Sequence, residues 1–216
     1  MEEEVSVRVP GGPVLEARLG NLDHPRGGLV VCHPHPLYGG DLENPVVVRT
    51  VEVARECGVQ TLRLNFRGVG RSTGSHAKGE GERQDVTAAL ELIRSRTPAG
   101  QPLGVAGYSF GAWVSAQVAS ETPQLASLCL IAPPLGMFDF AALDTVSMDT
   151  LVVAGTQDPY CPAPRLAALS ERRPGIHAVT IEGADHFFFG KLFPLGEAIR
   201  SWVNRWAAGR PEPFPR

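Results

Sequence analysis

The sequence lacks the features that would place it in a membrane, on nucleic acid or around a metal. It contains no run of roughly 18 apolar residues, so no transmembrane helix is expected. Its formal net charge at pH 7 is only −3, which gives no reason to expect nucleic acid or an anionic membrane as a partner. Its cysteines are scattered without a Cys-x-x-Cys pair, which disfavours a disulfide framework or a zinc site; they are Cys32, Cys57, Cys129 and Cys161.

The remaining composition is that of an ordinary globular chain. Hydrophobic residues make up 43% of the 216 positions, enough for a sizeable core. No internal repeat, linker or low-complexity block divides the chain, so we expect one domain over residues 1–208. Residues 209–216 contain three prolines and are expected to form a disordered tail. The acidic start, residues 1–4, is unlike a signal peptide, so the cytoplasm is the expected location.

The apolar pattern alternates between strands and helices almost throughout. Val5–Val9 and Val14–Leu19 alternate with a period of two around a Pro-Gly-Gly-Pro turn, which predicts a hairpin. Further strands are predicted at residues 28–32, 60–65, 103–106, 125–131, 150–154 and 176–181, and helices at 44–57, 82–96, 112–119, 164–172 and 192–208. Strands that alternate with helices predict right-handed crossovers, and therefore an α/β fold with a mostly parallel sheet covered on both faces.

A Gly-x-Ser-x-Gly segment at Gly107–Gly111 carries the main functional signal. It lies between a predicted strand and a predicted helix, the setting in which this pattern forms a nucleophile elbow. A Cβ at either glycine would strike the neighbouring backbone, and the following helix aims its N-terminal amides at the serine. The pattern predicts that Ser109 is a nucleophile.

A serine nucleophile needs a base and a carboxylate that orients the base. Asp158 follows the predicted strand 150–154, and His186 follows the predicted strand 176–181, so both fall at the carboxyl edge of the sheet in the order serine, acid, histidine. Taken singly, Asp158 reads equally well as a turn residue before proline, and His186 as a capping or surface histidine. Asp185 is a rival acid, but a side chain adjacent to the histidine on the same loop rarely reaches the Nδ1 atom of the imidazole. The joint placement favours Ser109, Asp158 and His186.

Acyl transfer also requires two amide donors for the oxyanion. The first is expected to be the amide of Phe110, directly after the serine. The second is expected from the loop 33–40, where the prolines have no N–H and His35 is the first choice, with Leu37 and Tyr38 behind it. His33 and His35 also have a metal-ligand spacing, but no third ligand is near in sequence, and a packing role for His33 bonded to backbone is favoured.

The segment Asn65–Ser72 follows another predicted strand and is open to three interpretations. It could grip a phosphate with its glycines, contact substrate through Arg67, or brace the elbow. It lacks the lysine of a P-loop and the full dinucleotide fingerprint, so bracing is favoured.

Four motifs together give the chain a family resemblance: the elbow, His-Pro-His-Pro-Leu-Tyr-Gly-Gly at 33–40, Asn-Phe-Arg-Gly-Val-Gly-Arg-Ser at 65–72, and Ala-Asp-His-Phe-Phe at 184–188. Over Val5–Ala208 the chain resembles the small, lidless bacterial α/β-hydrolases. These are serine esterases related at a distance to dienelactone hydrolases and to acyl-peptidase-type catalytic domains. The resemblance implies the same triad and an eight-stranded sheet with its second strand antiparallel. The 18 residues 132–149 are too few for a cap domain.

The resulting expectation is a serine hydrolase that cleaves small carboxylic esters, with no cofactor and no metal. Apolar residues near the triad favour an acyl or aryl group, with Leu37, Tyr38 and Phe187 as expected substrate contacts. Hydrolysis of thioesters or short peptides would use the same machinery and stays open. A ligand-binding protein of the same fold is a third possibility, although no triad member is missing. The chain is expected to be a monomer or a homodimer.

Overall fold

One sheet of eight strands organises residues 2–207, which are the residues that this computed structural model describes. The strands are β1 (Glu3–Arg8), β2 (Val14–Gly20), β3 (Gly28–Cys32), β4 (Gln60–Leu64), β5 (Leu103–Tyr108), β6 (Ser127–Ile131), β7 (Asp149–Gly155) and β8 (Ile176–Ile181). Their order across the sheet is β1-β2-β4-β3-β5-β6-β7-β8. β2 is antiparallel to both of its neighbours, and the pairs from β4 to β8 are parallel. The predicted sheet, including its reversed second strand, is confirmed.

Helices cover both faces of the sheet, as the alternating pattern predicted. They are α1 (Pro45–Glu56), α2 (Glu80–Arg96), α3 (Phe110–Glu121), α4 (Ala163–Arg172) and α5 (Leu192–Ala207), with short 3-10 helices at Pro36–Tyr38 and Ala141–Asp144. The central strands β3 to β6 are buried at every residue, which explains the apolar runs of β3, β5 and β6. β4 differs, because it also buries the polar side chains of Gln60, Thr61 and Arg63.

Alternate residues of β3, β5 and β6 enter two separate cores. In β3, Val30 and Cys32 pack with α2, α3 and the hairpin, while Leu29 and Val31 pack with α1 and α5. This division is the period-two geometry of a strand whose two faces are both covered. The arrangement fixes the carboxyl ends of the parallel strands, where the predicted site residues lie, between two rigid layers.

Some element boundaries differ from those predicted. α2 begins at Glu80 rather than at residue 82, because the buried Glu82 carboxylate accepts the amides of Ala77 and Gly79 and closes the first turn. β6 begins at Ser127, since the Leu125 amide is still bound to the Thr122 carbonyl of the preceding turn. The predicted end of the last helix at residue 208 and the predicted tail 209–216 lie outside the described residues.

The connection between β6 and β7 forms no cap domain. Within residues 132–148, all of them described, the regular structure is the single 3-10 helix Ala141–Asp144, and β7 follows at Asp149. No helix in residues 2–207 combines the length and the apolarity needed to cross a membrane. The carboxyl edge of the sheet is therefore left uncovered by additional helices.

Candidate active site

Ser109 occupies a strained turn between β5 and α3. Its backbone has φ 54° and ψ −115°, a conformation that L-residues avoid. A Cβ on Gly107 would overlap the Gly111 carbonyl, and one on Gly111 would overlap the His33 carbonyl. Both glycines are thus required by close backbone contacts. The turn places the serine side chain at the carboxyl end of β5, beside the N-terminus of α3.

A chain of hydrogen bonds links Ser109, His186 and Asp158. The His186 Nε2 atom lies 2.9 Å from Ser109 Oγ, and its Nδ1 atom lies 2.8 Å from Asp158 Oδ2. The Asp158 side chain is fully buried, and its other oxygen accepts the amides of Tyr160 and Cys161. With the His186 proton on Nδ1, facing the carboxylate, Nε2 is free to accept the serine proton. The geometry is that of a nucleophile, a base and an orienting acid.

The loop that carries His186 is held by its neighbours. The Tyr108 hydroxyl, one residue before the serine, donates to the His186 carbonyl at 2.9 Å. The rival acid Asp185 is bonded within its own loop, where one of its oxygens accepts the amides of Phe187 and Phe189 at 3.0 and 3.2 Å. Asp185 therefore closes a turn of the histidine loop, and Asp158 holds the imidazole.

The loop after β3 leaves one of the three expected amide donors free. His35 caps the 3-10 helix: its Nδ1 accepts the Leu37 amide at 3.2 Å, and its carbonyl accepts the amides of Tyr38 and Gly40 at 3.1 Å each. Within residues 2–207 no hydrogen bond engages the His35 amide itself. The His35 and Phe110 rings lie 4.8 Å apart, and the Phe110 amide opens α3, where helix amides lack an internal acceptor.

Comparison with known proteins identifies the family. Residues 24–142, more than half of the chain, match the family model Hydrolase_4, described as serine aminopeptidase, S33. The chain belongs to this hydrolase family.

Proteins from several bacteria are similar to the hydrolase over most of its length. An uncharacterized protein of Rickettsia prowazekii (strain Madrid E) is 32% identical over 199 residues, which cover 88% of this chain and 84% of that protein. The crystal structure of a protein of unknown function from Agrobacterium tumefaciens has a TM-score of 0.89 and 32% identity, covering 99% of this chain and 100% of that one. An α/β serine hydrolase without a lid from Xanthomonas campestris has a TM-score of 0.86 and 31% identity, covering 95% and 94%. The resemblance to lidless α/β hydrolases is confirmed.

His33 is bonded to backbone on both sides of its ring. Its Nδ1 donates to the Pro34 carbonyl at 2.6 Å, and its Nε2 accepts the Phe66 amide at 3.0 Å. Burial lowers the pKa of His33 to about 4, so the ring stays neutral and keeps both bonds. This is the packing role that its sequence position favoured. Among residues 2–207 no group of three histidine, cysteine or acidic side chains could hold a metal.

The segment after β4 in the hydrolase braces both its surroundings and the elbow. Asn65 accepts the Leu42 amide at 2.8 Å, and the Arg67 guanidinium binds the buried Asp85 carboxylate of α2 at 2.7 Å. The segment also contacts the elbow, because the Phe66 ring packs edge-on against the Phe110 ring, with centroids 5.9 Å apart, and the Phe66 amide holds His33. Arg67 is paired with Asp85 and does not line the cleft beside Ser109 and His186.

A cleft of about 350 Å³ opens beside Ser109 and His186. Of the expected substrate contacts, Tyr38 and Phe187 line this cleft, and Leu37 does not. Leu37 lies in the middle of the 3-10 helix, with its amide turned towards His35 and its side chain 68% exposed. The other lining residues are Pro34, His35, Gly39, Gly40, Asn44, Tyr108, Phe110, Pro134, Met137, Phe138 and Tyr160.

Several lining residues of the hydrolase were missed from the sequence. Tyr160 lies two residues after Asp158, and its ring contacts the His186 ring with centroids 4.8 Å apart. Its position in the acid loop is a signal that could have identified it. Met137 is 63% exposed in a segment without regular structure, and nothing in its sequence neighbourhood marks it. Phe188, the chain neighbour of the lining residue Phe187, is fully buried and belongs to the core.

Proposed function

We propose that this hydrolase cleaves uncharged carboxylic esters through an acyl-enzyme on Ser109. The observation that carries the proposal is the bonded chain Ser109–His186–Asp158 at the floor of a cleft with apolar walls. The family supplies the reaction class, hydrolysis; the serine mechanism and the ester substrate are inferred from this geometry.

In the proposed mechanism Ser109, His186 and Asp158 react from the positions that they occupy in the structure. His186 Nε2 accepts the Ser109 proton as the oxygen attacks the ester carbonyl, and the amides of Phe110 and His35 bind the oxyanion. The resulting imidazolium is stabilised by the Asp158 carboxylate and then protonates the departing alcohol. Water, activated by the same histidine, attacks the acyl-enzyme and releases the acid. The Tyr160 ring packs edge-on against the His186 ring, with centroids 4.8 Å apart, and forms the wall of the cleft next to the base.

The lining of the cleft favours an ester over a peptide with a free amino terminus. An aminopeptidase must bind the ammonium group of its substrate, and a carboxylate is the usual partner for a cation. Among residues 2–207, no Asp, Glu, Lys or Arg side chain lines the cleft. Against these aromatic walls, cation–π contact would replace only part of the hydration that an ammonium group loses, so its binding without a carboxylate would incur a desolvation cost. The substrate we propose is therefore a small, uncharged acyl or aryl ester, even though the matching family model is described as serine aminopeptidase.

Hydrolysis of two substrate classes by three proteins tests the proposal. Wild type, Ser109→Ala and His186→Ala are assayed with short-chain p-nitrophenyl esters and with alanine p-nitroanilide, which carries a free amino group. We expect the wild type to hydrolyse the esters, the variants to lose at least about a thousandfold in kcat, and the anilide to be a poor substrate. Preference for the anilide would overturn the ester assignment. Full activity of the Ser109→Ala variant would overturn the mechanism.

A further inference from the structure

A second apolar cavity adjoins the cleft. It has a volume of about 510 Å³ and shares Asn44, Tyr108 and Phe187 with the cleft. Its remaining lining residues are Pro45, Val46, Phe188, Phe189, Gly190 and Leu192. We call this cavity the side groove. None of its lining residues in the described part of the chain is charged, and its shared residue Tyr108 directly precedes the nucleophile.

Exposed apolar surface is concentrated around these two cavities. The large hydrophobic side chains that are exposed in residues 2–207 are Leu37, Tyr38, Met137, Tyr160, Phe187, Phe189 and Phe193. Five of them line the cleft or the side groove, namely Tyr38, Met137, Tyr160, Phe187 and Phe189, whereas Leu37 and Phe193 line neither. Contiguous exposed apolar surface is rare on soluble proteins and marks a binding site for an apolar partner.

The backbone of the histidine loop holds two aromatic rings outward. Phe188 is fully buried and has φ 54°, a conformation that costs about 1–3 kcal/mol for a non-glycine residue. Its burial anchors the loop, while the Asp185 carboxylate binds the amides on both sides of it. Phe187 and Phe189 are left 63% and 88% exposed at the two cavities. Strain kept at such a position is typical of a functional site rather than of a neutral surface loop.

We infer that the side groove is a second subsite of the same active site, and that it binds an uncharged hydrocarbon arm of the substrate. This inference rests on the proposed function, since the arm must belong to a molecule attacked by Ser109. The occupant is a hydrocarbon because the lining offers no charged group and few polar ones. It is a part of the substrate because the groove meets the cleft at Tyr108 and Phe187, beside the reacting serine and histidine.

Labelling by fluorophosphonates tests the subsite without requiring an ester substrate. Ser109 Oγ forms a bond to phosphorus, fluoride departs, and the serine proton passes to His186. The alkoxy chain of the probe is varied from ethyl to decyl. In the wild type we expect the labelling rate constant to rise by up to about fourfold for each methylene that enters the groove, the effect of burying one CH₂.

Two matched variants locate the effect. Phe189 lines the side groove and Phe193 does not, and both are exposed aromatic residues of one short segment. We expect Phe189→Asp to flatten the dependence on chain length, so that the ratio of the decyl to the ethyl rate constant falls about tenfold or more. Phe193→Asp should match the wild type across the series. Phe189→Leu, which restores an apolar side chain, should recover most of the dependence.

Two ester series show which arm of the substrate enters the groove. In p-nitrophenyl esters the acyl chain is lengthened, and in alkyl acetates, followed by acid release, the alcohol chain is lengthened. A Phe189→Asp effect on long members of either series supports the subsite. A flat wild-type labelling profile, or equal profiles for Phe189→Asp and Phe193→Asp, would overturn it. A loss of long-chain preference that accompanies dissociation of a dimer in sedimentation would also overturn the subsite, because a second copy of the chain would then occupy the side groove. Labelling that depends on chain length without any ester hydrolysis would instead refute the proposed function and leave the subsite standing.

Discussion

Replacing Ser109 by glycine is expected to stabilise the fold relative to replacing it by alanine. Both variants remove the hydroxyl and its bond to His186, so this loss cancels between them. Alanine keeps a Cβ on a backbone with φ 54° and ψ −115°. Glycine reaches this region without a steric penalty because it has no Cβ. The difference between the two variants therefore reports the strain of the elbow.

The magnitude follows from two opposing effects. Strain at such a position costs about 1–3 kcal/mol, which glycine relieves. Glycine also loses about 0.5–1 kcal/mol more than alanine in backbone entropy on folding. Ser109→Gly should thus exceed Ser109→Ala by about 1 kcal/mol in the free energy of unfolding. For a domain of this size the difference corresponds to roughly 2–4 °C in Tm.

Urea and thermal unfolding of four variants measure the effect. Ser115 is a matched control, since it lies in the middle of α3 on regular helical backbone. There glycine should be less stable than alanine by about 1 kcal/mol, the opposite sign. Equal stability of Ser109→Gly and Ser109→Ala, or the same sign at both positions, would refute the strain assigned to the elbow.

Three further outcomes are expected. Burial lowers the pKa of His33 to about 4 from 6.5, so its neutral form stabilises the fold above pH 6.5. As pH falls from 6.5 to 4, the free energy of unfolding of the wild type, measured with urea, should decrease by about 3 kcal/mol more than that of His33→Gln. An NMR titration of His33 with a midpoint near 6.5 would contradict this. Asp158→Asn should lower kcat for esters about ten-thousandfold with little change in Tm, because the amide cannot stabilise a charged His186. Activity of this variant within tenfold of the wild type would exclude Asp158 as the orienting acid. Tyr108→Phe leaves the His186 carbonyl without its donor and should lower the free energy of unfolding by about 1–2 kcal/mol, whereas an unchanged Tm would show that this bond does not secure the histidine loop.

The fold was predictable because its signals are local. The continuous apolar runs of β3 and β5 occur only where both faces are covered, and the alternation around Pro10–Pro13 marks the hairpin. The Gly-x-Ser-x-Gly turn marks its serine as the candidate nucleophile. Its two glycines are required by close backbone contacts, either within the turn itself or with the end of the adjacent strand. The chain order of Asp158 and His186 after successive strands then places them at one edge of a parallel sheet.

The walls of the cleft were harder to predict, because side-chain direction in irregular segments depends on contacts distant in sequence. Leu37 and Tyr38 are neighbours in one 3-10 helix, but the Tyr38 ring packs against the His35 ring and lines the cleft, whereas Leu37 does not. In the same way Phe187 and Phe188 are indistinguishable in sequence, but the positive φ of Phe188 turns it into the core. Periodicity carries no information where the backbone is neither helix nor strand.

Trapping the acyl-enzyme tests the assignment of the nucleophile most directly. The wild type is mixed with p-nitrophenyl acetate, quenched in acid during the first turnover, digested and examined by mass spectrometry. The proposed mechanism predicts one acetyl group on the peptide that contains Ser109, formed at the rate of the nitrophenolate burst and absent in Ser109→Ala. Hydrolysis that proceeds with no adduct, or with an adduct on another residue, would contradict it.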